Sequence, residues 1–241
     1  MPFLGTVVDV FAIIIGGLFG LGFGKRLTEH YQETMLKACG LSIFFIGVGG
    51  VVSKMLVPSD GGFTTEGAVM MASSLTLGAL IGEALDIDGK MASFGRWLKK
   101  KTGSHDDNSF VSGFVNASLV VSIGAMAVLG PINEVIMHDE SVLFAKSILD
   151  LILILLMTLT NGKGCIFSFI PVFIVQGLVT VLAGFLSPVM TADAVNALSL
   201  VGSVLIATLG INMVWDKSIR VSNMFPSVVI AVIWAALEEM L

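Results

Sequence analysis

Long apolar runs divide this chain, over residues 4–24, 36–57, 67–85, 110–132, 141–160, 165–187, 194–214 and 222–238. One α-helix crosses the hydrocarbon layer with about 20 apolar residues. In lipid only helices and closed barrels satisfy every backbone group internally. Eight such runs in 241 residues leave space for short loops and for no substantial soluble domain. The sequence therefore predicts an all-α, polytopic transmembrane helical bundle of eight spans, with 1–241 as a single transmembrane domain. Composition agrees, because only 13% of residues are charged, about half the share of a soluble domain. The 27 glycines suit helices that pack closely in a membrane.

The breaks between runs carry turn or charge chemistry: Lys25-Arg26, Pro58-Ser59-Asp60-Gly61-Gly62, Asn161-Gly162-Lys163-Gly164 and Trp215-Asp216-Lys217. The first residues show no basic stretch and no small-residue cleavage site, so the first run is read as a retained helix. With the N-terminus outside, Lys25, Arg26, Lys90, Arg96, Lys99, Lys100, Lys101, Lys163, Lys217 and Arg220 all fall inside, and only Lys54 falls opposite. Asp60, Glu66, Glu134, Asp139, Glu140, Asp193, Glu238 and Glu239 then fall in external loops. The positive-inside rule favours that orientation, with both termini outside. Residues 89–101 form either an interfacial amphipathic helix, with Met91, Phe94 and Trp97 along one side, or an ordinary cytoplasmic loop.

Three runs near the N-terminus echo three near the C-terminus in the same order. Ile15–Gly24 aligns with Val175–Gly184, Leu36–Val51 with Leu198–Met213 (matching Gly40 to Gly202), and Leu75–Leu85 with Ser227–Leu237. The repeats cover about 1–87 and 163–241, with the spans of 110–160 between them. Span 1 pairs with span 6, 2 with 7 and 3 with 8, and an odd offset reverses direction through the membrane. Inverted repeats around a midplane site characterise many secondary transporters.

Asp150 is the sharpest chemical signal. It lies near the centre of span 5, where insertion of an aspartate costs roughly 2.5–3.5 kcal/mol. Lys146 precedes it by one helical turn, so the two can pair on one face. The pair is either an ion or proton relay, or a structural clasp. Asp9 in span 1 and Glu83 in span 3 either take part in function or reach to the interface. Span 4 is a candidate broken helix, with Ser122 and Gly124 mid-span and Gly130-Pro131 near its end, since proline removes a donor and frees carbonyls. Span 6 carries Gly162, Gly164, Pro171 and Gln176, which predict either an interrupted helix or a plain kink. Gly16, Gly20 and Gly24, with Gly78 and Gly82, form small-residue stripes for close helix packing. Asn116, Asn196, Asn212 and Asn223 add amides that either line a polar path or join helices. His30, His105 and His138 are too scattered for a metal site. Cys39 and Cys165 suggest neither disulfide framework nor metal cluster.

Several motifs together resemble a known group. They are Gly5-Thr6-x-x-Asp9 with Gly16-Gly17, Ser74-Leu75-x-Leu77-Gly78-Ala79-Leu80-Ile81-Gly82-Glu83, and Ile123-Gly124-Ala125-Met126-Ala127-x-x-Gly130. Lys146-x-x-x-Asp150, Ile170-Pro171, Gln176-Gly177 and Asn223-x-x-Pro226 follow in order. The sequence is similar over nearly its whole length to the bacterial family catalogued as domain of unknown function 554. The resemblance implies a bacterial inner membrane and raises Lys146, Asp150, Gln176 and Asn223 as candidates by position. Asp9 stands where the family tends to have Asn, and Ala125 where it tends to have Pro.

The expected function is a secondary transporter or channel for a small solute or ion. Its binding candidates are Asp150, Lys146, Ser122, Gly124, Gln176, Asp9 and Asn223. The alternatives are a membrane scaffold or regulatory subunit docking through the basic 90–101 segment, and a membrane-embedded enzyme acting on lipid. The sequence offers no catalytic set, calls for no cofactor or metal, and does not suggest nucleic acid as a partner. A homodimer in the bilayer, joined through exposed glycine stripes, fits the small span count.

Overall fold

The computed structural model of the chain describes residues 3–24, 28–59, 61–104, 107–122, 125–186, 188, 190–215 and 219–238. In order the elements are α1 (Leu4–Gly24), α2 (Glu29–Met55), β1 (Leu56–Ser59), β2 (Gly62–Thr65), α3 (Ala68–Leu85), α4 (Ile87–Lys101), α5 (Phe110–Ser122) and α6 (Ala125–Ile136). There follow α7 (Ser141–Asn161), the 3-10 helix η1 (Lys163–Ser168), α8 (Phe169–Leu186), α9 (Ala192–Val214), α10 (Val221–Met224) and α11 (Pro226–Glu238). Among the described residues six helical stretches are long and apolar enough to cross a membrane: α1, α3, α7, η1 with α8, α9, and α10 with α11. The pair α5 and α6, bent by 51°, makes a seventh if it crosses as one span, and the apolar part of α2, Gly40–Met55, is shorter. The protein is thus a multi-pass helical membrane protein.

Local signals set the helix ends. Thr191 caps α9 by accepting from the Ala194 amide at 3.3 Å, the usual role of a threonine at that position. The Asp139 carboxylate accepts from the Ser141 amide at 2.9 Å at the start of α7. Gly162 ends α7 at φ 76°, a conformation that glycine adopts without steric cost. Pro58, Ser59, Gly61 and Gly62 form a feature that an all-helical reading omits: an antiparallel hairpin with Ser59 opposite Gly62 and Pro58 opposite Phe63, with Gly61 at φ 107°.

Residues 89–101 are helical, as one of the two readings expected, but the buried side of α4 is Gly95 and Leu98. Phe94 and Trp97 stack on each other while exposed, as suits a helix lying at an apolar boundary. The break in span 4 falls between Ser122 and Ala125, and Gly124 lies outside the described residues. Pro131 sits inside α6, which runs on to Ile136. Pro171 does not end its helix, which runs on to Leu186. It occupies the first turn of α8, where backbone N–H groups lack helical partners and proline is tolerated.

The chain forms two compact units, each drawing on both halves of the sequence. Unit 1 comprises Met1–Cys39 and Gly89–Leu186, and unit 2 comprises Gly40–Asp88 and Ser187–Leu241. In unit 1, α1 packs along α7, with Gly16 against the Leu151 backbone and Gly20 against Leu155 and Thr158. In unit 2, Gly78 meets Ser227 and Gly82 meets Asn223, while Met70, Ala194, Ala197, Leu200, Val201, Ala231 and Ala235 form an apolar core. The stripes of Gly16 and Gly20 and of Gly78 and Gly82 are therefore used within the chain, where an added Cβ would strike neighbouring backbone. They are not left exposed for a contact between two copies.

Candidate functional site

The helices of unit 1 place Asp9, Lys146, Asp150 and Gln176 together. α7 supplies Lys146 and Asp150 one turn apart, α1 supplies Asp9, and α8 supplies Gln176. The Lys146 ammonium donates to Asp9 Oδ2 at 2.8 Å and also to Asp150 Oδ2. Gln176 Nε2 donates to the same Asp9 Oδ2 at 2.6 Å. Asp9 and Gln176 are both 0% exposed, Lys146 5% and Asp150 6%. Lys146 thus has two carboxylate partners, one of them across the α1–α7 interface, and Asp9 is buried and cannot reach out to the membrane surface.

The centre is charge-unbalanced, with two carboxylates facing one ammonium. It also holds unused hydrogen-bonding capacity. Among the described residues Asp9 Oδ1, Gln176 Oε1 and Thr6 Oγ1 are buried with no hydrogen-bond partner. A buried polar group left unpaired costs about 1–3 kcal/mol, and buried charge outside a matched pair costs more. A purely structural clasp has no reason to carry either excess.

Glu134 adds a third buried acid. The sequence placed it in an external loop; in the structure it lies on α6 at 2% exposure. Its Oε1 accepts from the Gly5 amide at 2.8 Å, at the N-terminal end of α1 where the helix dipole favours an anion. Its Oε2 is buried without a partner among the described residues. The signal for it was present in Ile132, Val135 and Ile136, which prolong the apolar periodicity past Pro131.

Toward the far end of α7, Thr158 Oγ1, Asn161 Nδ2 and, on η1, Ser168 Oγ form a second group of buried, unpartnered polar atoms among the described residues. Ile154 and Met157, both 0% exposed, lie on α7 between Asp150 and this group. Eight residues of helix separate Asp150 from Thr158, about 12 Å.

The profile of the family described as "Protein of unknown function (DUF554)" matches residues 4–236. The chain belongs to the DUF554 family. Over 226 residues, 94% of this chain and 93% of the relative, it is 23% identical to the "Uncharacterized membrane protein YdfK" of Bacillus subtilis (strain 168). Over 235 residues, 95% of this chain and 94% of the relative, it is 26% identical to the "Uncharacterized protein YqgA" of Escherichia coli (strain K12). No solved structure matches it.

The other candidates of this DUF554 protein make no hydrogen bond to the charge centre among the described residues. Ser122, half-buried at the end of α5, has an unpartnered Oγ among the described residues. Asn223 belongs to unit 2, where both ends of its amide are used: Nδ2 donates to Glu83 Oε2 at 2.5 Å and Oδ1 accepts from the Asp88 amide at 2.7 Å. Glu83 also accepts from Arg220 at 2.5 Å, an exposed pair. The Asn212 side chain donates from Nδ2 to the Ile219 carbonyl at 2.6 Å and accepts at Oδ1 from the Ile219 amide at 3.1 Å, so these two asparagines join segments. Asn196 is exposed and accepts from Lys54 at 2.9 Å. His30 and His138 are exposed and His105 lies outside the described residues. A cavity of about 570 Å³ in unit 2 is lined by residues including Lys54, Glu66, Asp193, Asn196, Trp234 and Glu238. None of the charge-centre residues lines it.

Proposed function

We propose that this DUF554 protein is a secondary transporter or channel for a small solute or ion in the bacterial cytoplasmic membrane, with the Asp9–Lys146–Asp150–Gln176 centre as its ion-handling site. The observation that carries the reading is the excess of buried acid over base on membrane-spanning helices, together with unpartnered oxygens beside it. Ionisable groups at membrane depth are costly and mark ion or substrate pathways by default. Glu134 and Thr6 continue the polar line toward the start of α1. Ile154 and Met157 separate the centre from the polar atoms of Thr158, Asn161 and Ser168, the arrangement of a dry barrier between two polar approaches.

Helix directions support eight crossings. A chain that crosses a membrane reverses direction at every crossing. Gly5 meets Leu143, Gly16 meets Leu151 and Gly20 meets Leu155, so α1 and α7 run parallel. Gly78 meets Ser227 and Gly82 meets Asn223, so α3 runs antiparallel to α10 and α11. If only the six long helices crossed, α3 would be second and α11 last, and the two would be parallel. If one of α2 or the bent α5–α6 pair also crossed, α1 would be first and α7 fourth, hence antiparallel. With both crossing, every one of these directions fits, and both termini share a side, the outside by the positive-inside rule.

The same contacts favour the inverted repeat. Gly40 packs on Met213, Gly47 on Ala207 and Gly50 on Ser203, so α2 runs antiparallel to α9. The face of α2 at Gly40, Gly47 and Gly50 has the spacing of Ser203, Gly210 and Met213 on α9, one residue from the alignment of Gly40 with Gly202. The buried face of α3, Met70, Ser74, Gly78 and Gly82, has the four-residue spacing of Asn223, Ser227, Ala231 and Ala235. In unit 1, Asp9 meets Gln176 on α8 and Gly17 meets Ile166 on η1, so α1 runs antiparallel to the η1–α8 stretch too. These are the pairs that the repeat relates.

The test is reconstitution. Purified protein in liposomes is expected to move an ion, a proton or one member of a solute panel, and Asp150→Asn is expected to abolish that movement while the protein remains folded. A wild-type protein that moves nothing across a broad panel, with no effect of Asp150→Asn in cells, removes the reading.

A further inference from the structure

Every feature of the Asp9 carboxyl is lopsided. Its Oδ2 accepts two donors, the Lys146 ammonium at 2.8 Å and the Gln176 amide at 2.6 Å. Its Oδ1, in the same fully buried group, accepts none among the described residues. The amide that donates to Oδ2 has its own oxygen, Oε1, buried and unpartnered. A carboxylate bonds comfortably through both oxygens, so an ionised Asp9 leaves half of its capacity unused in a place where that is expensive. Turning the Gln176 amide over does not help, because it would set an acceptor against Oδ2.

A single hydrogen removes both defects. With a proton on Oδ1, Oδ2 becomes the carbonyl oxygen of a neutral acid, whose two lone pairs match its two donors. The amide that already donates to Oδ2 carries, in Gln176 Oε1, a buried acceptor that lacks a donor among the described residues. Acid and amide then form a reciprocal pair, N–H to carbonyl one way and O–H to carbonyl the other. The count of charge closes as well: neutral Asp9, cationic Lys146 and anionic Asp150 sum to zero, which suits a low-dielectric interior.

We infer that the Asp9–Gln176 pair is a proton-binding site, with the proton held on Asp9 Oδ1 and shared with Gln176 Oε1. This deepens the transport reading by naming the proton as the ion of the same site. The binding step is balanced simply: one proton from water adds to Oδ1, and its release restores the ionised carboxylate. The ionisable groups of the elements packed on α1 are Lys146 and Asp150 on α7, Glu134 on α6, and Lys163 and Cys165 on η1, which meets α1 at Gly17. α8 contributes Gln176 and no ionisable side chain. A bare metal cation fits less well, because the Lys146 ammonium already occupies the shared oxygen. Among the described residues no cluster of three His, Cys, Asp or Glu side chains could hold a metal either.

The test is infrared spectroscopy of the whole protein in lipid bilayers at neutral pH, with and without deuterium exchange. The wild type is expected to show the carbonyl stretch of a neutral carboxylic acid. Asp9→Asn is expected to remove it, whereas Glu134→Gln keeps it. Asp9→Asn is a close mimic of the neutral acid, with an amide N–H in place of the O–H, and is expected to unfold at the wild-type temperature. Its thermal unfolding curve therefore confirms that the missing band comes from a folded protein. Absence of the band in the wild type overturns the assignment, as does a band that survives Asp9→Asn or is lost only in Glu134→Gln. A band abolished by sodium chloride but not by choline chloride also overturns it, in favour of a metal cation. The measurement needs no solute, so a protein that transports nothing but shows the band loses the transport reading and keeps the proton site.

Discussion

Unit 2 keeps its charged groups at helix ends and half in water, while unit 1 takes three carboxylates and a lysine out of water. In unit 2 Glu83 binds Arg220 with side chains 58% and 64% exposed, and Lys54 reaches exposed Asn196. The interior of that unit is small and apolar, built from Gly78, Gly82, Ala194, Ala197, Ala231 and Ala235. In unit 1 the α1–α7 contact uses glycine in the same way at Gly16 and Gly20, yet Asp9, Lys146 and Asp150 lie buried beside that contact. Close packing alone therefore does not require buried charge, since unit 2 achieves it without any among its described residues. The polar interior of unit 1 is an added feature that close packing does not account for.

If that contrast holds, equivalent substitutions should differ sharply between the units. Lys146→Met leaves buried acid without its base and is expected to destabilise the protein by about 3–5 kcal/mol, as breaking a buried ion pair does. Thermal or denaturant unfolding in mild detergent measures it. A loss as small as that of a surface pair would show that the centre is wetter than its burial implies. Gly82→Leu in unit 2 is next. Its Cβ would lie 1.7 Å from the Asn223 carbonyl oxygen, so α3 and α10 must part, at a cost of about 1–3 kcal/mol or more. The same assay reads it, and near-wild-type stability would mean that this contact is loose. Arg220→Ala is the smallest. An exposed pair contributes about 0–1 kcal/mol, and the unfolding midpoint is expected to stay near that of the wild type. A large loss there would place Arg220 in a role beyond its pair with Glu83, and would weaken the division between the units.

Much of this was legible in the chain. The apolar runs gave the helices because lipid admits few alternatives for a spanning segment. The i, i+4 spacing of Lys146 and Asp150 gave their pairing, because that spacing is fixed by the helix itself. Gln176 and Asp9 were candidates as polar residues in apolar surroundings, but nothing local said that Gln176 donates to the Asp9 oxygen that Lys146 also binds. They are 167 residues apart, and only the packing of α8 and α7 on α1 brings them to one place. Glu134 was misread because Pro131 looked like a helix end, whereas α6 continues through it once its neighbours cover the freed backbone. Asn223 shows the opposite case, a residue singled out by motif whose amide is fully used in joining α3, α4 and α10.

The sequence by itself determined that this is a helical membrane protein with a lysine and an aspartate one turn apart at membrane depth. Both follow from local periodicity, which each segment carries alone. Tertiary structure decided the rest. It set a second aspartate against the same lysine, buried it without a matching base, and left one oxygen of that carboxyl and one of the amide bonded to it without a donor among the described residues. Charge balance in a low-dielectric interior depends on which helices meet, and no single segment encodes that.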